Sequence, residues 1–311
     1  MRQALKTNRL CSVLMSLLEI YDKKYKQLMF GTFAVIFIAL VILGVQYVRT
    51  GEFVQKGISL KGGIAVTVPV QDQIDISDLG AKLSRQFPGK DLTTRGITSG
   101  GAVTAITVEA ADINKEQLIE ALETIGITTP ADQYSVEQTG SAIGQAFYGQ
   151  MLKALLIAFI FMAIAVYATF RAAIPSMFVV LAAVSDIICT LAVISLLNVR
   201  LSTAGIAAFL MLIGYSVDTD ILLTTRVLKR KEGTVLDRIL GAMRTGALMT
   251  GTGFIATLIS YFITQSDVIA QIMLILSIGL FFDFFMTWIQ NAGILRWYLE
   301  RKSGTQHLRS E

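Results

Sequence analysis

Six stretches of mainly apolar residues recur along this chain: Leu28–Val48, Met151–Phe170, Ile174–Leu197, Leu201–Thr225, Thr245–Thr264 and Val268–Ile294. About 20 such residues cross the hydrocarbon of a bilayer as one helix. Inside lipid each backbone amide must find an internal partner, so runs of this length predict helices that span. The composition agrees, because 53% of the 311 residues are hydrophobic and only 16% are charged. Residues 49–150, between the first two runs, have ordinary polar composition and enough length for one compact domain. The expected layout is an N-terminal segment (1–27), a first span (28–48), an outer domain (49–150), a five-helix bundle (151–297) and a tail (298–311).

Orientation follows from the Lys and Arg residues. With the N-terminus in the cytoplasm, the inner segments hold 17 of them and the short outer loops only Arg200. The positive-inside rule weights such loops most heavily. Both termini are therefore expected in the cytoplasm and the large domain outside, in a multi-pass protein of the cell membrane. The basic residues flank spans, where anionic membrane lipid attracts them, and no nucleic-acid partner is expected. Cys11 and Cys189 fall in the cytoplasm and the membrane, so no disulfide is expected. The one histidine, His307, lies in the tail. No Walker motif, dinucleotide fingerprint or metal-ligand cluster is present, so neither enzyme activity nor a cofactor or metal is expected. Leu10–Ile20 is too short to span and reads as an interfacial helix. The charged inner loop Leu228–Arg244 reads as an amphipathic helix on the membrane surface, with Val235, Ile239 and Leu240 towards lipid.

The outer domain alternates element types. Ile64–Val70 has strand alternation, and Ser77–Phe87 has helical spacing behind Ser77 as a cap. Asp91–Thr98 and Ala102–Glu109 are β-branched runs joined by the turn residues Ser99-Gly100-Gly101. Asn114–Ile125 reads as a capped helix and Tyr134–Thr139 as a closing strand. The order βαββαβ is that of a ferredoxin-like α+β domain.

Carboxylates interrupt the spans. Asp218 and Asp220 lie in the fourth, Asp186 in the third and Asp283 in the sixth. At a rise of 1.5 Å per residue, Asp218 is about 12 Å, Asp186 roughly 16 Å and Asp283 roughly 20 Å from the inner ends of their helices. A charged residue at such depth is costly, faces protein in most cases, and marks an ion path by default. Asp218 and Asp220 are two apart and point in nearly opposite directions. One can face a path while the other packs, and Asp218 is favoured as the carrier, shielded within the bundle. It shares a face with Gly214, where a second helix can approach closely. The fifth span opens RTGALMTGTGF. Thr250 and Thr252 can solvate a carboxylate or relay a proton, while Gly251 and Gly253 allow close helix packing. Arg226 reads as an interfacial anchor, or as the charge partner of an Asp.

These residues carry a family resemblance. Leu212–Gly233 (LIGYSVDTDILLTTRVLKRKEG) resembles the fourth span of the SecD/SecF protein-export family, and more closely the archaeal SecF type. Asp218 falls on the acid of the SecD-like Val-Asp-Ala-Asn form, with Asp220 in the Asn place. Bacterial SecF-like sequences read Ser-Ile-Asn-Asp-Thr, with their acid at the position of Thr219. Gly57–Gly63 (GISLKGG) is similar to the Gly-x-Asp-Phe-x-Gly-Gly element after the first span, with Ser59 in place of the Asp. RTGALMTGTGF resembles the stretch opening the family's fifth span. The resemblance implies half of an RND-like bundle and an accessory role in Sec-dependent export. It also implies SecD as partner, the SecYE translocon and a translocating polypeptide as associates, and a proton or sodium gradient as the energy source. Two other readings are an RND-like exporter of small molecules or lipids, and a non-conducting translocon scaffold.

Overall fold

The computed structural model describes residues 8–70, 75–99, 102–111, 113–127, 134–230, 232–264 and 266–307. Among the described residues, six helices are long and apolar enough to cross a membrane. The first is α1 (Asn8–Thr50), in which Lys24 breaks the helical geometry. The stretch expected to lie apart in the interface is thus helical and continuous, through this kink, with the first span. The next span, α5 (Ser141–Phe170), begins ten residues before the apolar run itself. It ends at Arg171, whose left-handed conformation (φ 49°) turns the chain into α6 (Ala173–Leu196). α7 (Thr203–Lys229) follows, with the Ser202 hydroxyl accepting from Gly205 N as an N-cap.

α8 (Val235–Ile263) corrects the amphipathic-loop expectation. Thr234 and Asp237 form a reciprocal capping box, so the helix starts there and runs without interruption into the membrane. Ile239 does not face lipid. It is fully buried in a cluster with Leu223, Val227, Trp288 and Leu295, and Val235 packs against the same cluster. The last span is α9 (Asp267–Phe285), a π-helical segment (Met286–Asn291) and α10 (Ala292–His307) in one continuous rod.

Between α1 and α5 the chain builds a four-stranded sheet. A single turn, α2 (Ile58–Lys61), leads into β1 (Gly63–Pro69), α3 (Ile76–Gln86), β2 (Leu92–Ser99), β3 (Ala102–Ala110), α4 (Lys115–Thr124) and β4 (Ser135–Thr139). The strand order is β2-β3-β1-β4, and every neighbouring pair is antiparallel. This is the ferredoxin-like arrangement expected from the βαββαβ order. Gly100 and Gly101 of the expected turn lie outside the described residues.

Period-two alternation decides the faces. Ile64, Val66 and Val68 of β1, with Ile106 and Val108 of β3, pack on Leu79 and Leu83 of α3 and Leu118 and Leu122 of α4. Asn114 and Gln117 form the expected capping box for α4. For α3 the cap moves: the helix begins at Ile76, Ser77 lies inside it, and Asp75 Oδ1 accepts from Asp78 N at 3.4 Å.

The domain stands on the bundle at a crossing of small residues. A Cβ at Gly144 of α5 would meet the backbone of Gly62 at 2.8 Å and of Leu60 at 3.0 Å, so only glycine permits this approach. Gly62 itself has φ +90°, a conformation that side chains disfavour. The GISLKGG element is therefore a backbone-on-backbone joint. Beside it, Gly57 N donates to Leu201 O (2.8 Å) and Leu201 N to Gln55 O (2.7 Å), tying the chain after α1 to the α6–α7 loop.

Candidate functional site, a buried carboxyl network

α6, α7 and α9 form the centre of the bundle, and their facing sides carry polar groups. Asp186, Asp220 and Asp283 are each fully buried. Ser216 Oγ of α7 donates to Asp186 Oδ2 at 2.6 Å. Asp283 Oδ2 accepts from Thr219 (3.4 Å) and Thr250 (3.3 Å), and its Oδ1 from Thr287 (3.2 Å). Asn291 Nδ2 donates to Asp220 Oδ1 at 2.8 Å. Asp186 Oδ1, Asp220 Oδ2 and the Thr224 hydroxyl are buried without a hydrogen-bond partner among the described residues.

The company these acids keep is the chemical point. Among the described residues none of the three forms an ion pair; hydroxyls and one amide are their partners. A buried ion pair is neutral and fixed. A carboxyl held by hydroxyls can instead gain or lose a proton while the hydroxyls turn from donor to acceptor.

Thr287, Gln290 and Asn291 sit in the π-helical segment, and all three are fully buried. π-segments inside α-helices are rare and recur at functional sites. Their sequence signal is the polar run WIQNAG within an apolar span. Ser216 and Thr219 were equally readable as i, i+3 neighbours on the inner face of α7.

Asp218 is corrected. The bundle interior does not shield it: its side chain is exposed, on the face of α7 that also carries Met211, Gly214 and Tyr215. A Cβ at Gly214 would meet nothing within 4 Å. The two acids do point apart as the helical period requires, and it is Asp220 that points inward. Thr250 joins the network, whereas the exposed Thr252 hydroxyl bonds back to Leu248 O and Met249 O of its own helix. Arg226 bonds across to Gly241 O and to Thr245 Oγ1 (3.1 Å) of α8, and among the described residues it pairs with no acid. Gly251 has open space around it and Gly253 only an ordinary contact with Leu280. The close approach falls at Gly246, where a Cβ would meet the Trp288 ring at 2.3 Å.

The family described as "Protein export membrane protein SecD/SecF, C-terminal" matches residues 120–301. The protein-export membrane protein SecF of Pyrococcus furiosus is 38% identical over 93% of this chain and 95% of its own length. The chain belongs to the SecD/SecF family.

Other members agree: SecF of Methanocaldococcus jannaschii is 38% identical over 84% of this chain and 93% of its own length. The crystal structure of the translocon-associated SecDF of Thermus thermophilus superposes with a TM-score of 0.73 at 18% identity. That match covers 89% of this chain but 38% of the SecDF chain. As a SecD/SecF member, this chain thus has the length of the archaeal SecF relatives and the fold of one part of SecDF. Its three interior acids lie within the residues the family description matches.

Proposed function

We propose that this chain is an accessory of Sec-dependent protein export that works with a SecD-type partner and draws on an ion gradient. Its termini face the cytoplasm, its ferredoxin-like domain faces outward, and the SecYE translocon and the emerging polypeptide are its working surroundings. Seventeen inner basic residues against one outer one support the orientation. The close relationship to archaeal SecF supports the process.

One observation carries the energy coupling: three buried carboxyls on α6, α7 and α9 are held by hydroxyl and amide partners and, among the described residues, form no ion pair. In the proposed cycle Asp186, Asp283 and Asp220 pass protons through Ser216, Thr219, Thr250 and Thr287. Asp218, beside the open Gly214 face, exchanges with the partner's spans. Each charge moved across 100 mV supplies about 2.3 kcal/mol, so a few protons suffice to move a domain. Family membership favours export of polypeptide over the small-molecule exporter.

The test is export into reconstituted vesicles that contain the translocon, the partner and this chain, with and without an imposed gradient. Asp283→Asn and Asp218→Asn should each abolish the gradient-dependent component while the complex assembles in normal yield. If export is unchanged and only thermal stability falls, the acids are packing groups and the chain is a scaffold.

A further inference from the structure

Arg200 was the single exception to the charge asymmetry, a lone basic residue in the short outer loops. The structure gives it an occupation. Arg200 is only 8% exposed although it sits in a loop. It reaches out of the α6–α7 connection to the outer domain, where Nη2 meets Asp91 Oδ1 at 2.6 Å and Nη1 lies 3.9 Å from Glu109 Oε2. Asp91 immediately precedes β2 and Glu109 is in β3, so one guanidinium grips two neighbouring strands of the sheet. A planar fork of five donors suits this task, and an ammonium would not.

The grip is fixed to the acid-bearing helices. Arg200 is three residues before α7, which carries Ser216, Thr219 and Asp220. Gln271 of α9, the helix of Asp283, donates to the Arg200 carbonyl at 2.5 Å and also meets the Ser202 hydroxyl. At the N-terminus of α9, Asp267 accepts from Thr107 of β3 at 2.8 Å. Around these bonds lies a cleft of about 370 Å³ between the sheet and the outer ends of the helices, bordered by Thr67, Arg95, Glu137 and Thr203 and by the apolar Ile58 and Val268. The domain meets the bundle here through separate polar contacts around this cleft.

We propose that Arg200 is the latch through which displacement of α7 and α9 reaches the outer domain. It is a positioning residue that acts on the sheet through Asp91 and Glu109. The inference rests on the proposed function for its purpose, but the contact stands or falls by itself. A change of tilt in either helix moves Arg200 or Asp267 and pulls on β2 and β3. Glu109 supports a latch that can be released: burial pushes its carboxyl above the ordinary range, against the pull of Arg95 and Arg200 and with the push of Asp267 and Glu137.

The experiment is a pair of spin labels on the full chain in vesicles, one at Lys82 on α3 and one at Asn198 at the outer end of the bundle. Cys11 and Cys189 are first replaced by serine and alanine. The native chain should give one narrow distance distribution. Arg200→Gln should broaden it and add a longer population, and the charge-swapped pair Arg200→Asp with Asp91→Arg should restore the narrow one. A narrow distribution in Arg200→Gln overturns the latch, as does failure of the swap to restore it when the swapped chain melts normally. Neither distance requires a gradient. A latch that fails while Asp283→Asn still abolishes export leaves the functional reading intact, and the reverse outcome leaves the latch intact.

Discussion

Two groups of carboxyls stand out in this molecule, one at the base of the outer domain and one inside the bundle, and they keep opposite company. At the base of the outer domain, Glu109 sits 3.1 Å from Arg95, and Asp91 sits 2.6 Å from Arg200 and 3.4 Å from Lys61. In the bundle, Asp186, Asp220 and Asp283 have hydroxyls and an amide. Burying a charge costs several kcal/mol unless a partner offsets it. The outer group has cations beside it, which hold a geometry. The inner group leaves that cost unmet, which suits groups that change protonation. Paired acids position; unpaired acids can carry.

The sharpest way to break this contrast is to neutralise one acid of each kind. Asp283→Asn keeps shape and one acceptor, so thermal melting should change by no more than about 1 kcal/mol, while gradient-driven export disappears. Arg200→Ala should do the reverse at the joint. Removing one member of a buried pair costs about 3–5 kcal/mol, and the partly exposed Asp91 lowers that here to roughly 2 kcal/mol. Differential scanning fluorimetry of the purified chain would read both, and equal losses in the two variants would erase the distinction.

The joint can also be tested through its backbone. In Gly144→Ala the new methyl meets Gly62 N at 2.8 Å, and backbone cannot turn aside as a side chain can. A loss of about 1–3 kcal/mol is expected, read as a lower melting temperature and faster proteolysis between the domain and α5. Gly251→Ala, in open space, should be neutral by the same assay.

Acid titration separates the two carboxyls of the outer group. For Asp91, burial pushes the pKa up but Arg200 and Lys61 outweigh it, and the net position is below the ordinary carboxylate. A depressed acid stabilises the fold above its unfolded pKa, about 4, and that contribution fades as pH falls through the lower folded value. The melting difference between the native chain and Asp91→Asn, about 1 kcal/mol or less for a half-exposed pair, should hold from neutral pH to about 5 and close below about 4. Glu109 has the opposite sign. Its raised pKa makes the ionised form a cost to the fold that disappears as pH falls through it. The smallest effect is reserved for Thr252→Val, whose hydroxyl bonds only to its own helix; export should be unchanged, whereas Thr250→Val should slow it.

Much of this was legible from residue patterns, because the physics behind it is local. Span length, strand alternation and the Asn114 cap each depend on near neighbours. The failures came from packing. Asp218 and Asp220 are equivalent by composition, and only the placement of α6 and α9 makes one interior. Val235–Arg244 has the look of a surface helix, yet Ile239 packs on Trp288, a residue far along the chain. Arg200 seemed a lone loop charge because Asp91 and Glu109, its partners, lie about a hundred positions away. The π-helical turn that buries Thr287, Gln290 and Asn291 has no simple period to announce it.

The central claim is that the inner carboxyls exchange protons as the chain works. Infrared difference spectroscopy on the reconstituted complex, taken with and without a transmembrane proton gradient, reads the carbonyl stretch of protonated carboxyls directly. A gradient-dependent band that vanishes in Asp283→Asn is the result expected here; a spectrum with no carboxyl band change, under conditions where export is running, would contradict it.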